Sequence, residues 1–232
     1  MTRKARPLID LLVSIIIPSV VLMKFSGDTD LGAVGALIVA LAFPITWGLY
    51  ELIRHRVTNY IALLGLISVM LTGGIGLFQL DTQWIAVKEA AIPGIIGLVV
   101  LVTAQMRKPL IKTLLYNPVV LDTDKINQIL LDKGYEQAFN KSLLNATYML
   151  SGTFFFSSVM NYILAKWIVA SPAGSAAFNE ELGRLTLVSY PMIAIPSMLM
   201  MLAIFYFLWR SIHGLTGLPF ESVLAPALRG DD

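Results

Sequence analysis

Apolar stretches of membrane-spanning length alternate with short polar segments along most of this 232-residue chain. The hydrocarbon core of a bilayer is about 30 Å thick, so an α-helix needs roughly 20 apolar residues to cross it. Five stretches come close to this length, and a proline divides a sixth. The pattern predicts an all-α integral membrane protein, a single domain over residues 1–232 built as a bundle of six transmembrane helices. The predicted spans are 8–23, 31–50, 60–78, 90–106, 143–168 and 185–209.

Lysine and arginine residues collect in every second connection between these stretches, which indicates how the chain is oriented. Most of the 17 Lys and Arg residues lie in the N-terminal segment, the second-to-third connection, the long connection 107–141 and the C-terminal tail. These segments all lie on one side of the membrane if the chain crosses it six times, and the opposite side then has only Lys24, Lys88, Lys166 and Arg184. Because loops rich in lysine and arginine stay in the cytoplasm, six crossings place both termini on the cytoplasmic side.

The long connection 107–141 carries a helical pattern of its own. Apolar residues recur at Ile126, Ile129 and Leu130, behind the capping residue Asp122, and Gly134 follows as a stop signal. This spacing predicts a short amphipathic helix on the cytoplasmic surface. We expect its apolar side to face the surface or the lipid, and docking of a partner protein is the alternative.

Composition supports a membrane protein and excludes several classes of function. Hydrophobic residues make up 56% of the chain and charged residues 14%, well below the roughly 25% charge of soluble domains. The absence of cysteine excludes disulfides, thiolate metal sites and a cysteine nucleophile. A net charge of +2 predicts no nucleic-acid partner. No catalytic or nucleotide-binding motif occurs, so we predict a protein that is not an enzyme and has no cofactor or metal.

Two charged neighbours, Lys88 and Glu89, are the first candidates for a functional site inside the membrane. They follow Trp84, a predicted interfacial anchor, by one helical turn, which places them roughly 6 to 8 Å inward. A charge in hydrocarbon costs about 2.5 to 3.5 kcal/mol, so such residues are retained for function or lie at hydrated headgroup depth. Because successive side chains on a helix point about 100° apart, we do not expect the two to form a simple ion pair.

The fifth predicted span supplies two further candidates. Asn161 lies deeper, roughly 12 Å from the outer end of the span, where an amide seeks a partner on another helix. That partner is either structural or a bound substrate or ion. Lys166 lies nearer the outer end, where its long stem lets the charge reach the surface.

Small residues and prolines recur within the apolar stretches. Glycines at 73, 74, 76 and 97 permit close approach of helices, which predicts tight packing or self-association. Pro93 opens the fourth predicted span, where a proline frees a carbonyl that neighbours, water or a ligand must satisfy. Broken helices of this kind line transporter cavities, although prolines also bend purely structural helices.

Three blocks resemble those of the YciB family, the intracellular septation protein A-like inner-membrane proteins. They are residues 73–78 followed by Trp84 and Lys88, residues 108–111 with Lys108 and Pro109, and residues 161–165 beginning at Asn161. The resemblance covers about residues 43–212 and makes Trp84, Lys108, Pro109 and Asn161 the positions that match the family pattern. Segment 117–137 is longer than its equivalent in the family, and shorter members have five spans rather than six.

The resemblance implies a bacterial inner-membrane protein of cell-envelope maintenance and septation, without catalytic residues. On this basis we expect a non-catalytic scaffold whose partners are membrane lipids, further copies of itself and other envelope or division proteins. The alternative is a small-solute or ion transporter or channel with a polar path near Lys88, Glu89 and Asn161. A lipid-handling enzyme is a weaker third reading, because a nucleophile and metal ligands are missing.

Overall fold

The computed structural model describes residues 12–55, 60–105 and 111–225, and these residues form α-helices joined by short turns. Within these ranges there is no β-strand, only an isolated antiparallel bridge between Leu121 and Leu224. The prediction of an all-α protein is therefore confirmed. Two π-helical turns, Leu12–Ile16 and Tyr190–Ala194, precede α1 and α9. The helices are α1 (Ile17–Lys24), α2 (Gly32–His55), α3 (Tyr60–Leu77), α4 (Gln83–Gln105), α5 (Ile111–Leu114), α6 (Thr123–Asp132), α7 (Glu136–Ile168), α8 (Ala176–Ser189), α9 (Ile195–Thr216) and α10 (Phe220–Val223).

Three helical segments of the described chain are long and apolar enough to cross a membrane. They are Gly32–Tyr50, Gln83–Gln105 and Ala176–Thr216, and they contain most of the predicted spans 31–50, 90–106 and 185–209. Of span 60–78, the stretch Ile67–Leu77 is a shorter apolar helix. Span 143–168 lies within the 33-residue α7, where hydroxyl and amide side chains interrupt the apolar run. Span 8–23 lies partly outside the described residues. The six-span count thus stays a prediction.

The chain divides into two compact units. Unit 1 takes its described residues from Met1–Ile92 and Ser158–Ala194, and unit 2 from Pro93–Ser157 and Ile195–Asp232. In unit 1 the helices α1, α2, α3 and α8 pack together. Their core is apolar, and Phe178 and Ile85 are fully buried in it.

Glycines bring the helices of unit 1 into close contact. A Cβ atom at Gly76 would lie 2.5 Å from Cδ2 of Leu37 and 3.2 Å from Cε1 of Phe178, and one at Gly73 would lie 2.6 Å from Cδ1 of Leu41. Contacts below 3.0 Å are closer than real Cβ atoms allow, so a larger residue at either position would require the leucine side chains of α2 to shift. The tight packing predicted for glycines 73 and 76 is confirmed, as packing within the chain.

In unit 2 the predicted amphipathic helix exists as α6. The Asp122 side chain caps it by accepting a 3.3 Å hydrogen bond from the backbone N–H of Lys125, and Gly134, with a positive φ of 70°, follows its end. The expectation of a surface-facing or lipid-facing apolar side was wrong. Ile126 and Leu130 are 0% and 2% exposed, because they complete the core of unit 2.

Pro93 lies inside the continuous helix α4, where it has no backbone N–H to donate, and two side chains of α7 donate to carbonyls of α4 on either side of it. In unit 1, Ser158 Oγ donates a 2.7 Å hydrogen bond to the carbonyl oxygen of Ala90. In unit 2, Ser151 Oγ donates one of 2.9 Å to the carbonyl oxygen of Gly97. These interhelical bonds satisfy polar groups in an apolar setting, where each is worth about 0.6 kcal/mol on average.

Candidate functional site: a polar pocket around Lys88

Lys88 is a buried ammonium group in the second turn of α4, and its side chain is only 7% exposed. Nζ donates to Thr72 Oγ1 at 2.8 Å and to Ser68 Oγ at 3.2 Å, and it lies 2.6 Å from Glu89 Oε1. An ammonium has three N–H donors, so these three oxygens use all of them. The burial of Lys88 is stabilised by two hydroxyls and one opposite charge.

The two hydroxyls come from a single face of α3. Ser68 and Thr72 are four residues apart, so their side chains lie one above the other on the helix surface. Thr72 Oγ1 also donates a 3.0 Å hydrogen bond to the carbonyl oxygen of Ser68. That bond fixes the hydroxyl proton on the backbone and leaves a lone pair of Thr72 directed at Lys88.

Lys88 and Glu89 form an ion pair, so the expectation that these neighbours would not pair was wrong. The Cβ directions of adjacent helical residues do diverge by about 100°. However, the lysine and glutamate side chains are long enough to bend towards each other, and they meet at 2.6 Å. Glu89 is the less buried partner, with a side chain that is 31% exposed.

Both charged residues line a cavity of about 200 Å³ in unit 1. Ser68 and Thr72 line it beside them, and the remaining walls are mostly apolar side chains of α1, α2 and α8, with the hydroxyls of Ser19 and Thr186 among them. Pockets for drug-sized ligands enclose about 300 to 1,000 Å³, so this cavity suits a molecule of a few heavy atoms. The apolar walls include Leu22, Leu37, Leu41, Leu182 and Leu185.

The other predicted site residues lie elsewhere. Trp84 is in the first turn of α4 with half of its surface exposed, and its role as an interfacial anchor stays a prediction. Asn161 is partly buried on α7 and Lys166 is exposed in the last turn of that helix, and neither lines the cavity. Lys108 and Pro109 lie outside the described residues. The structure therefore brings Lys88 and Glu89 together and leaves Asn161 and Lys166 apart from them.

Sequence reasoning missed Ser68 and Thr72 as members of the site. The available signal was their spacing of four within the apolar run of α3, which places two hydroxyls on one helix face. A hydroxyl in a membrane helix often bonds only to its own backbone. Nothing in the spacing distinguishes that local role from a contact with a lysine on the next helix.

Unit 2 holds a second, smaller polar pocket of about 130 Å³. The Tyr116 hydroxyl donates a 2.7 Å hydrogen bond to Asn127 Oδ1, and Lys112 Nζ donates one of 3.4 Å to Asn140 Oδ1. Burial, with a smaller contribution from the carboxylate of Asp124, raises the pKa of the Tyr116 phenol well above its usual range. Tyr116 is therefore a neutral hydrogen-bond donor here.

Fold and site together define an all-helical protein with helices able to cross a membrane and a buried charged pocket in unit 1. No protein-family model, curated protein or solved structure compared with this chain matches it.

Proposed function

We propose that this chain is a bacterial inner-membrane protein with six spans and both termini in the cytoplasm, and that it moves a small solute through the Lys88 pocket. One observation carries the functional part of the proposal. A buried ammonium, held by Ser68, Thr72 and Glu89, lines a cavity of about 200 Å³. Charged side chains inside a membrane are costly even when they are paired, and those that are retained commonly face a polar cavity or a substrate path.

The topology is tested by thiol labelling, for which the absence of cysteine gives a clean background. Lys166→Cys and Gln128→Cys both replace exposed side chains, and the proposal places them on opposite sides of the membrane. A membrane-impermeant maleimide should label Lys166→Cys in intact cells and Gln128→Cys only after permeabilisation. Labelling of both, or neither, before permeabilisation contradicts the proposed topology.

Solute movement is tested with purified protein in liposomes. We expect uptake of a small polar solute that Lys88→Met reduces at least tenfold. Lys24→Met is the matched control, because Lys24 is an exposed lysine of the same unit that does not line the cavity. Equal uptake by wild type, by both variants and by empty liposomes would count against a transport role.

A non-catalytic scaffold in the cell envelope is the second candidate, and the resemblance to septation protein A-like proteins supports it. In this structure the first block of that resemblance, residues 73–78 with Trp84 and Lys88, belongs to the α3–α4 hairpin that carries the pocket. Complementation separates the two proposals. The Lys88→Met variant is expressed in a deletion strain that has an envelope defect. If the protein is a scaffold, the variant should restore the envelope, and if it is a transporter, the variant should fail to do so.

A further inference from the structure

We propose that the ligand of this pocket is a small monocarboxylate that binds Lys88 by displacing Glu89. This inference rests on the proposed function and names its substrate class. Nζ of Lys88 already donates to three oxygens, so a ligand reaches it only by replacing one of them. The question is therefore which of the three oxygens leaves.

Glu89 is the partner that is able to leave. Ser68 and Thr72 are held on α3 by short side chains, and Thr72 is anchored to its own helix by a 3.0 Å hydrogen bond. Glu89 has a longer, flexible side chain that is 31% exposed, against 7% for Lys88. It can therefore rotate towards solvent while Lys88 stays in place.

The carboxylate of Glu89 also indicates which chemical group fits. Its Oε1 atom lies 2.6 Å from Nζ, at the distance of a charge-assisted hydrogen bond, and both residues line the cavity. A ligand carboxylate at that position would keep the same contact with the ammonium. Without ligand, the carboxylate of Glu89 thus occupies the position that the ligand's carboxylate takes in the bound state.

Charge balance favours a monoanion over a cation. With Glu89 bound, the pair Lys88–Glu89 is neutral, and with a monocarboxylate bound the pair of ligand and Lys88 is neutral as well. A cationic ligand would place a second positive charge beside a buried ammonium, and uncompensated charge in a low-dielectric setting is strongly unfavourable. The exchange keeps the buried part of the site neutral in both states.

The walls of the cavity set the size of the ligand. Leu37, Leu41 and Leu185 present apolar surface around a volume of about 200 Å³. A hydrocarbon body of a few carbons gains free energy by burial against such walls, at about 0.8 kcal/mol for each CH₂. A short-chain carboxylate combines this body with the acidic group.

Titration calorimetry on the purified full-length protein in detergent tests the inference. Butyrate, butyramide and n-butylamine have the same chain length and carry negative, zero and positive charge. We expect butyrate to bind at least tenfold more tightly than the other two. Tighter binding of n-butylamine or butyramide would overturn the carboxylate assignment.

Variants then test the displacement of Glu89. A tethered carboxylate competes at an effective concentration in the millimolar range, so Glu89→Gln should tighten butyrate binding about tenfold. Unchanged or weaker binding would overturn the exchange. The double variant Lys88→Met with Glu89→Gln leaves no unpaired charge and should lose butyrate binding while its melting temperature stays near that of wild type. The control Lys24→Met should bind as wild type does.

The series from acetate to octanoate distinguishes a soluble acid from a membrane lipid chain. An affinity that is highest for a short acid supports the inference, whereas a continuous rise to octanoate points to an acyl chain and overturns it. Failure of the inference also differs from failure of the proposed function. Uptake of an amine that depends on Lys88 contradicts only the carboxylate, but absence of any solute binding or uptake contradicts both.

Discussion

The side-chain amide of Asn179 donates a 2.7 Å hydrogen bond to the backbone carbonyl oxygen of Ala33, which lies 146 positions earlier in the chain. The second N–H of the same amide donates to Ser26 Oγ at 3.0 Å. Asn179 is fully buried in α8, so a single side chain fastens this helix to the beginning of α2 and to the turn before it.

Replacing this amide should destabilise unit 1. In Asn179→Leu the carbonyl of Ala33 loses a buried partner, and an unsatisfied buried polar group costs about 1 to 3 kcal/mol. Leucine also removes Asn179 Oδ1, a buried oxygen without a hydrogen-bond partner among the described residues, so we expect the free energy of unfolding in mild detergent to fall by about 1 kcal/mol, at the low end of this range. Asn145→Leu, at an exposed position of α7, is the matched control and should melt within about 0.5 kcal/mol of wild type.

Gly183→Ala should destabilise the contact between α1 and α8. The new Cβ would lie 2.8 Å from the backbone oxygen of Ser19 and 2.7 Å from Cγ of Met23, and a backbone atom is unable to rotate away. Overpacking of this kind costs about 1 to 3 kcal/mol. Gly152→Ala has open space around the new methyl group and should be neutral or slightly stabilising in the same thermal assay.

Thr72→Val should weaken the support of Lys88 without changing the volume of the side chain. We expect a loss of about 1 to 2 kcal/mol in unfolding free energy, because a hydrogen bond to a buried charge disappears. Thr46→Val is a close control. Thr46 also bonds to carbonyls of its own helix, at 2.6 and 3.1 Å, but it is exposed. Equal losses in the two variants would mean that the bond to Lys88 contributes nothing.

Stability at alkaline pH should depend on Tyr116. Its pKa in the folded protein is raised, chiefly by burial, above the ordinary tyrosine value of about 10. The folded state therefore keeps a proton that the unfolded state releases, and this contribution is complete below about pH 10 and is lost as the pH rises further. The titration of Tyr116 should lower the free energy of unfolding by at most about 1.4 kcal/mol for each unit by which the pH rises above about 10.

Tyr116→Phe removes this titration, so the variant should lose less stability than wild type between about pH 10 and 11.5. The comparison uses denaturation at several pH values, with Tyr135→Phe, at an exposed position, as the matched substitution. Parallel pH profiles for wild type and Tyr116→Phe would contradict the prediction. The loss of the bond to Asn127 should also lower the stability of Tyr116→Phe by about 1 kcal/mol at neutral pH.

Local signals in the sequence predicted the helices and part of the site. The capping residue Asp122, the spacing of Ile126 and Leu130, and the stop at Gly134 specify α6 within a few residues, because each acts over one or two helical turns. Lys88 and Glu89 were identified from the cost of placing charges in an apolar stretch. These arguments depend on the neighbouring residues alone, which is why the sequence was sufficient for them.

The partners of the polar groups could not be predicted in the same way. Apolar residues surround α3 on all sides apart from the hydroxyls of Ser68 and Thr72, which can bond to their own backbone. The sequence therefore does not indicate which face of α3 meets α4, and the contact of these hydroxyls with Lys88 depends on that rotation. The same holds for Ile126 and Leu130, whose apolar pattern fits a lipid surface as well as the core that they enter. Side-chain flexibility explains the remaining error, since the directions of the Cβ atoms do not limit where a lysine and a glutamate meet.

The order of residues in the Lys88 site has a consequence for biosynthesis. Ser68 and Thr72 precede Lys88 by 20 and 16 positions, and Glu89 follows directly, so the hydroxyl acceptors leave the ribosome before the ammonium does. In the proposed six-span topology, the charged segment therefore reaches the insertion machinery after its hydroxyl partners have entered it. Helices α3 and α4 should integrate as a hairpin, and a circular permutant that begins at α4 would deliver the ammonium with only Glu89 to compensate it.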